Sequence, residues 1–349
     1  MPGKIPYFIK KFLNLFHYHR KNDKKDIFVF SSFRSGSTWL AEIIHSEPGV
    51  KFPISPNKIE FLEPIDSRYK KIQPRPFYIR LSAKEKKIIA DYIRKASRGE
   101  IVYGQRYVDL FSRSHNFVTE RSVFRLLRST YLIDWIIDEF DIHSLYLIRH
   151  PIATSLSRKK IWQKSNNPSY WKPKIDYIYN SDSFRQNFLT PKLESFLEEK
   201  LETCSKLEEF VITWCIENLP PIRKIQEGKN QFIFLTYEDL LINSKKVLSF
   251  ICEHLYLENK KLMLERIHIP SSTVRYSDRK TKDKFNKNTY SQEYLLKKWK
   301  KEVTTTEIEK VQIILNAFDI HIYNASSFMP QTEYLKSTSE NNSSPEDRP

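Results

Sequence analysis

The chain has few of the residues that build cross-linked or metal-held proteins. Among its 349 residues it has three cysteines, Cys204, Cys215 and Cys252, and none are spaced as C-x-x-C. An odd number of widely separated cysteines argues against a disulfide framework or a thiolate metal site. Its nine histidines show no H-E-x-x-H spacing. We therefore expect a reducing compartment and no bound metal.

Long hydrophobic runs are also lacking. No stretch of about 20 apolar residues occurs, so the sequence predicts no membrane-spanning helix. Near the N-terminus, apolar side chains recur at helical spacing among lysines: Ile5, Phe8, Ile9, Phe12, Leu13 and Phe16, with Lys4, Lys10 and Lys11. A basic amphipathic segment of this kind fits an anionic membrane surface or the flank of its own domain. We expect a cytoplasmic protein, either soluble or held peripherally at a membrane through residues 4–20.

Acidic side chains are outnumbered. The chain has 58 Lys and Arg against 42 Asp and Glu, a net charge of +16, which predicts an acidic partner. Nucleic acid, an anionic membrane surface and a multiply charged cofactor all satisfy this prediction. The basic residues are spread along the whole chain and no nucleic-acid-binding motif occurs, so we expect no nucleic-acid partner.

Glycine is scarce, with six in the chain, and one of them lies in the most informative stretch. The apolar run 27–30 predicts a buried strand, and the apolar spacing in 40–44 predicts a helix. The turn between them includes Arg34, Ser35, Gly36, Ser37 and Thr38. A helix start leaves backbone N–H groups unpaired, and the helix dipole adds positive potential there. With three hydroxyl groups and a guanidinium added, the turn predicts a site for phosphate or sulfate.

A second strand–helix junction has similar chemistry. The run 145–148 predicts a strand, and Pro151 suits the first position of the next helix. Arg149 lies at the end of the strand, and Ser157 lies about two turns into the helix. The two side chains can converge on one phosphate, with the arginine supplying a bidentate fork.

Both stretches resemble motifs of the sulfotransferases. The turn at 34–38 is similar to their 5′-phosphosulfate-binding loop, in the R-S-G-S-[ST] form of the carbohydrate sulfotransferases. Residues 147–158 resemble the 3′-phosphate motif L-x-R-[DH]-P-x-A-x-x-x-S-R, with His150 where many members have Asp. The turn is not a Walker A loop, because it lacks the first glycine and the lysine of that motif. Weaker similarities extend the resemblance over residues 26–318.

The resemblance implies an enzyme that transfers a sulfuryl group from 3′-phosphoadenosine 5′-phosphosulfate (PAPS) to a hydroxyl or amine of a carbohydrate or glycolipid. It implies that the 5′ end is held by Arg34, Ser35, Gly36, Ser37 and Thr38, and the 3′-phosphate by Arg149 and Ser157. Arg34 would also ease departure of the bisphosphate. Glu63 is the candidate catalytic base, with Glu60 as its rival. No metal is required, because fixed cations can stabilise the charge.

Two other functions stay open at this point. One is a phosphotransferase of the P-loop type, which the missing Walker lysine disfavours. The other is a basic nucleic-acid-binding protein that keeps the fold without catalysis, whose binding would depend steeply on salt.

The order of predicted elements indicates an α/β fold. Strands alternate with helices, which predicts a doubly wound, mainly parallel sheet with helices on both faces, and the resemblance implies the P-loop NTPase-like form of it. We expect a helix and linker over 1–25, the α/β domain over 26–330 and a disordered tail over 331–349.

Four local predictions test this interpretation. Ser82 and Glu85 predict a capping box that opens a helix ending near residue 96. A helix is expected near 122–140, with Arg121 and Arg125 at its start, either near the site or solvated. A helix over 193–225 is expected to break at Pro220 and Pro221. The stretch 163–191 shows little periodicity and predicts a long insertion or lid.

Overall fold

The computed structural model describes residues 18–20, 22–52, 80–98, 118–127, 129–165, 175–271, 292–331 and 333–334. The predicted helical segment at 5–16 and the candidate bases Glu60 and Glu63 lie outside these residues. Almost all of the predicted tail over 331–349 does so too. Of the range 1–25, the described part contains the short strand Tyr18–His19.

The strands of the described residues form two parallel sheets. They are β1 (Tyr18–His19), β2 (Asp26–Ser31), β3 (Val50–Lys51), β4 (Val118–Thr119), β5 (Arg121–Leu126), β6 (Ile142–Ile148) and β7 (Ile233–Thr236). The large sheet has the order β3-β5-β2-β6-β7, and every pair in it is parallel. Strands β1 and β4 pair separately.

Helices of the described residues connect the strands of the large sheet, and the last five of them follow its final strand, β7. They are α1 (Ser37–Ile44), α2 (Ala83–Ser97), α3 (Ile133–Glu139), α4 (Pro151–Lys164), α5 (Ile175–Tyr179), α6 (Asp182–Phe188), α7 (Pro191–Thr203), α8 (Lys206–Gln226), α9 (Tyr237–Ile242), α10 (Ser244–Leu255), α11 (Lys260–Ile267), α12 (Gln292–Lys297) and α13 (Thr305–Ala317). The described residues also contain two 3₁₀ turns, Thr130–Leu132 and Lys298–Glu302. Within the described residues, no helix is long and apolar enough to cross a membrane.

The sheet is covered on both faces, as predicted. Alternate side chains of β2 enter two separate cores: Phe28 and Phe30 pack with α2, α4 and α8, and Ile27 and Val29 pack with α1 and α10. All four side chains are fully buried, and burial of each stabilises the fold by roughly 1.5–3 kcal/mol. A strand buried on both faces is apolar at every position, which explains the continuous run at 27–30.

The connections from β2 and β6 diverge at the edge where these strands end. The two strands are neighbours, with Ser31 in register with Leu147. Helix α1 leaves β2 toward one core and α4 leaves β6 toward the other. Such a divergence opens a crevice at the carboxyl ends of the strands, where α/β folds bind ligands. Both predicted anion motifs therefore lie at one crevice.

The predicted capping box is confirmed and the helix predicted at 122–140 is wrong in its first half. The hydroxyl of Ser82 accepts from the Glu85 N–H, and the Glu85 carboxylate accepts from the Ser82 N–H. In contrast, 121–126 is strand β5, and α3 begins only at Ile133. Every residue of β5 is buried, including Arg121 and Arg125. The central position of this strand overrides its weak helical spacing.

The predicted helix break at Pro220 and Pro221 is also wrong. Helix α8 runs through both prolines, and the break lies before it, where a Ser205 capping box starts α8. A proline cannot donate to the carbonyl four residues earlier. Here those two carbonyls accept from side chains of the 3₁₀ turn at 130–132. Tyr131 Oη donates to Ile216 O at 2.8 Å, and Thr130 Oγ1 donates to Glu217 O at 2.5 Å.

The stretch 163–191 is more regular than predicted. In its described part, α4 extends to Lys164, and the short helices α5 and α6 follow before α7 begins at Pro191. Phe184 of α6 is fully buried in the core that contains α8. Short helices with one or two anchoring side chains leave little periodicity in a sequence.

Candidate functional site

The anion loop at 33–38 turns sharply at two positions. Arg34 has φ 67° and Gly36 has φ 95°, both in the left-handed region. A non-glycine residue in that region costs about 1–3 kcal/mol and keeps the conformation only where surrounding contacts hold it. Gly36 is the N-cap of α1 and has no side chain to bond the first helical N–H groups. Those groups therefore stay available to a ligand at the loop.

The hydroxyl groups of the loop have different surroundings. Ser35 is fully buried, and its Oγ lies 2.9 Å from Ser32 Oγ, so this hydroxyl braces the turn. Ser37 and Thr38 stand in the first turn of α1 and are also buried. Thr38 Oγ1 accepts a hydrogen bond from Arg125 of β5. Arg125 thereby contacts the anion loop at its C-terminal end.

The ring of Tyr237 lies between the two motifs. A Cβ atom on Gly36 would stand 2.6 Å from Tyr237 Cδ2, so the loop backbone touches the ring. The Arg149 guanidinium carbon lies 4.2 Å from the centroid of the same ring, a cation–π contact. Gly36 and Arg149 are thus separated by one aromatic side chain.

Direct hydrogen bonds also join the anion loop to α4. Arg34 Nε donates to Ser157 Oγ at 3.0 Å, and Arg158 Nε donates to Phe33 O at 3.0 Å. The structure therefore brings the two predicted motifs into contact although they are more than 100 residues apart in the chain.

Positive charge is concentrated at this point. Burial lowers the pKa of Arg34 to about 10, and the charges of Arg149, Arg158 and Arg125 add to the effect in that order. Arg149 Nε is buried and has no hydrogen-bond partner among the described residues. A multiply charged anion would relieve the repulsion and supply that partner, so the side chains present fit a ligand with phosphate groups at two ends.

A buried polar cluster holds the end of β6 in place. The Glu238 carboxylate accepts from the His150 backbone N–H at 2.9 Å and from Tyr323 Oη at 2.8 Å. The His150 ring stacks on Trp299, with centroids 4.5 Å apart. Burial lowers the pKa of His150 to about 3, so its ring is neutral at pH 7. Arg149, one residue earlier, therefore stands on a rigid support.

Sequence reasoning missed three contributors to the site. Tyr237 lies outside both predicted motifs, yet it directly follows β7 and so reaches the same sheet edge. Arg125 was placed on a helix. Arg158 was matched to the motif without a role. The β-branched and aromatic pair Val123 and Phe124 within 121–126 is a strand signal that could have placed Arg125 correctly.

Comparison with known proteins identifies a family. A family model described as the sulfotransferase domain matches residues 24–318. Among solved structures, mouse sulfotransferase SULT7A1 complexed with PAP is 17% identical and covers 90% of each chain, with a TM-score of 0.42. Sulfotransferase STF1 from Mycobacterium tuberculosis H37Rv is 11% identical, covers 89% of this chain and 79% of its own, and has a TM-score of 0.37.

A third similar structure is the sulfotransferase domain from the curacin biosynthetic pathway. It is 14% identical, covers 70% of this chain and 78% of its own, and has a TM-score of 0.37. No match is found among curated proteins.

Proposed function

The chain belongs to the sulfotransferase family, and we propose that it transfers a sulfuryl group from PAPS to a hydroxyl or amine of a carbohydrate or glycolipid. One observation carries the choice of donor: the anion loop and Arg149 flank the same Tyr237 ring. Two anion sites this close fit the two ends of one adenosine bisphosphate. The family assignment favours this function over the phosphotransferase and nucleic-acid-binding alternatives.

Each end of the donor has its own proposed ligands. Arg34, Arg125 and the N-terminal N–H groups of α1 would hold the 5′ end, and Arg149 with Ser157 would hold the 3′-phosphate. When bound, PAPS supplies an activated sulfuryl group. Around it, fixed guanidinium and N–H groups stabilise negative charge without reorganising, which is the main source of catalysis in transfers of this kind.

The acceptor side of the site rests on the sequence. The R-S-G-S-T form of the loop supports a carbohydrate or glycolipid acceptor, because it is the form of the carbohydrate sulfotransferases. Glu63 is the proposed base that takes the proton from the acceptor oxygen, with Glu60 as the alternative. The cytoplasmic location and the membrane contact through residues 4–20 stay predictions.

Nucleotide binding tests the donor assignment. Adenosine 3′,5′-bisphosphate is expected to bind far more tightly than 5′-AMP in calorimetric titrations. Arg149→Ala is expected to weaken bisphosphate binding roughly 10- to 100-fold, since it removes a charged hydrogen-bond donor, and to leave 5′-AMP binding nearly unchanged. Arg20→Ala is the control, because Arg20 is 60% exposed and pairs with Glu120. Equal losses for both nucleotides would reject the 3′-phosphate assignment.

Transfer itself is tested with radiolabelled PAPS. We expect label to appear in the glycans or the glycolipids of a panel that also contains small alcohols. Transfer only to small alcohols would refute the proposed acceptor while leaving the donor intact.

A further inference from the structure

Helix α4 contacts the anion loop through two adjacent residues, Ser157 and Arg158, and the proposed donor site uses only Ser157. Ser157 accepts from the Arg34 side chain, whereas Arg158 donates to the backbone of the loop at Phe33 O. The other arm of the Arg158 guanidinium donates to Glu217 Oε2 of α8 at 2.6 Å. The side chains of Arg158 and Glu217 are only 4% and 7% exposed. One buried guanidinium therefore ties the loop to α8.

The bond to Phe33 acts at the point of greatest strain in the loop. The Phe33 carbonyl and the Arg34 N–H belong to one rigid peptide plane. Fixing that carbonyl fixes one side of the Arg34 φ angle, which lies at 67°. Arg34 then has little freedom to relax to a negative φ, which would swing its side chain away from Ser157. The contact of Arg158 thus opposes the relaxation of Arg34.

Glu217 is itself held on a firm platform. Its backbone carbonyl accepts from Thr130 Oγ1 because Pro221 cannot donate to it. Beside it, Asn218 Oδ1 accepts from Tyr146 Oη of β6 at 2.7 Å, and Asn218 Nδ2 donates to Trp214 O at 2.6 Å. This part of α8 is therefore fixed to the sheet and to the turn after β5. Arg158, which donates to Glu217, is therefore also held in a fixed position.

We propose that Arg158 and Glu217 are positioning residues for the anion loop: together they hold Phe33 O and so keep Arg34 and the N-terminus of α1 arranged for the 5′ end of the donor. This inference rests on the proposed function. Arg158 does not touch the donor, because its guanidinium is buried and directed to Phe33 and Glu217. Although Arg158 is next to Ser157 in the chain, its bond to Phe33 O assigns it to the 5′ end of the donor and not to the 3′-phosphate.

A purely stabilising role does not explain the arrangement. A buried ion pair adds little net stability compared with a well-packed apolar pair of similar volume. Replacing both partners therefore distinguishes an effect on the geometry of the anion loop from an effect on the stability of the fold. Arg158→Met/Glu217→Leu removes both charges of the pair together, so the fold is expected to survive while the bond to Phe33 is lost.

The test compares this double variant with the wild type, using three probes: adenosine 3′,5′-bisphosphate, 5′-AMP and 3′-AMP. We expect roughly tenfold weaker binding of both ligands that carry a 5′-phosphate, and unchanged binding of 3′-AMP. The melting temperature should stay near that of the wild type. In transfer assays, the KM for PAPS should rise and the KM for the acceptor should not. Arg185→Met/Glu194→Leu, which removes an exposed pair, is the matched control.

Two outcomes would overturn the proposal. Weaker binding of 3′-AMP would mean that Arg158 serves the 3′ end, and unchanged binding of all three probes would mean that the pair is only structural. If the double variant does not fold, Arg158→Lys decides by the same comparison, because a lysine keeps the charge but cannot bond both partners as a fork. Failure of the proposed function would look different, since the wild type would then not prefer the bisphosphate over 5′-AMP.

Discussion

At the scale of single residues, the site depends on two loop residues with left-handed backbone, Arg34 and Gly36. Arg34 keeps this conformation at a cost, and its contacts with Ser157 and the Phe33–Arg158 bond oppose relaxation. Gly36 adopts it freely and, lacking a Cβ atom, lets the loop approach the Tyr237 ring. The closeness of the two anion motifs therefore depends on the smallest side chain in the loop.

Gly36→Ala is expected to weaken binding of adenosine 3′,5′-bisphosphate by about tenfold or more and to lower stability. The new Cβ atom would stand 2.6 Å from Tyr237 Cδ2, and the left-handed conformation costs an L-residue about 1–2 kcal/mol. Titration calorimetry and thermal melting measure the two effects.

Gly228→Ala is the matched control for this prediction. Gly228 also has a positive φ, 67°, but beyond its chain neighbours none of the described residues lies within 4 Å of its Cβ position. This variant should lose stability alone and keep its affinity. Equal affinity losses in both variants would show that the contact with Tyr237 does not shape the site.

At the scale of elements, α8 supports the site by hydrogen bonds to the 3₁₀ turn after β5 and to Arg158. Its two prolines leave the carbonyls of Ile216 and Glu217 without helical donors, and the 3₁₀ turn after β5 supplies replacements. Because Glu217 also holds Arg158, one stretch of α8 connects the ends of β5 and β2. The prolines thus free two helical carbonyls for tertiary hydrogen bonds, and the helix continues through them.

Tyr131→Phe is expected to destabilise the protein by about 1–3 kcal/mol, because it leaves the buried Ile216 carbonyl without its donor. In the Pro220→Ala background the loss should be smaller, since the backbone N–H that this substitution restores can donate to that carbonyl. Chemical denaturation of the four species in this cycle measures the coupling.

Tyr179→Phe serves as the control for the cycle, because Tyr179 Oη donates to Glu198 Oε1 at an exposed position. It should cost little in either background. If Tyr131→Phe cost the same with and without Pro220, the replacement of helical bonds by the 3₁₀ turn would be refuted.

At the scale of the whole molecule, the two edges of the sheet bury different charged groups. Arg34, Arg149 and Arg158 gather at the carboxyl edge, whereas the amino edge buries the carboxylate of Asp26 near Arg121 and Lys51. This carboxylate accepts from the Ser122 N–H at 2.5 Å. Burial raises the pKa of Asp26 from 3.8 to about 6, although hydrogen bonds from Ser97 and Ser122 oppose the shift. Burial likewise lowers the pKa of Lys51 to about 8.

The raised pKa of Asp26 gives stability a defined pH dependence. The folded protein holds this proton more tightly than the unfolded chain, so the contribution is full below pH 3.8 and is lost as pH rises through about 6. Asp26→Asn removes this dependence and keeps an acceptor for Ser122. Its free energy of unfolding relative to the wild type should increase by on the order of 2 kcal/mol between pH 4 and pH 7.

Urea denaturation across that range measures the difference. Asp141→Asn is the control, because the Asp141 side chain is 78% exposed. A constant difference between Asp26→Asn and the wild type at all pH values would contradict the assigned titration.

Much of the local structure could be predicted because its causes are local. Strand β2 is apolar at every inner position, the box of Ser82 and Glu85 caps α2, and Pro151 starts α4. The anion loop was recognised for the same reason, since its turn, hydroxyls and helix start lie within a few residues. Where long-range contacts compete with local preference, as at Pro220 and Arg125, prediction from the sequence was wrong.

The family, the parallel α/β plan and the two anion motifs could be predicted from the sequence alone, because each depends on residues close together in the chain at fixed spacing. How these parts meet depends on the tertiary structure: the Tyr237 ring lies between Gly36 and Arg149, and Arg158 links Phe33 to Glu217. The physical reason is that such contacts depend on the order of the strands and on which face each helix covers. Those are set by the packing of the whole chain and leave no local pattern.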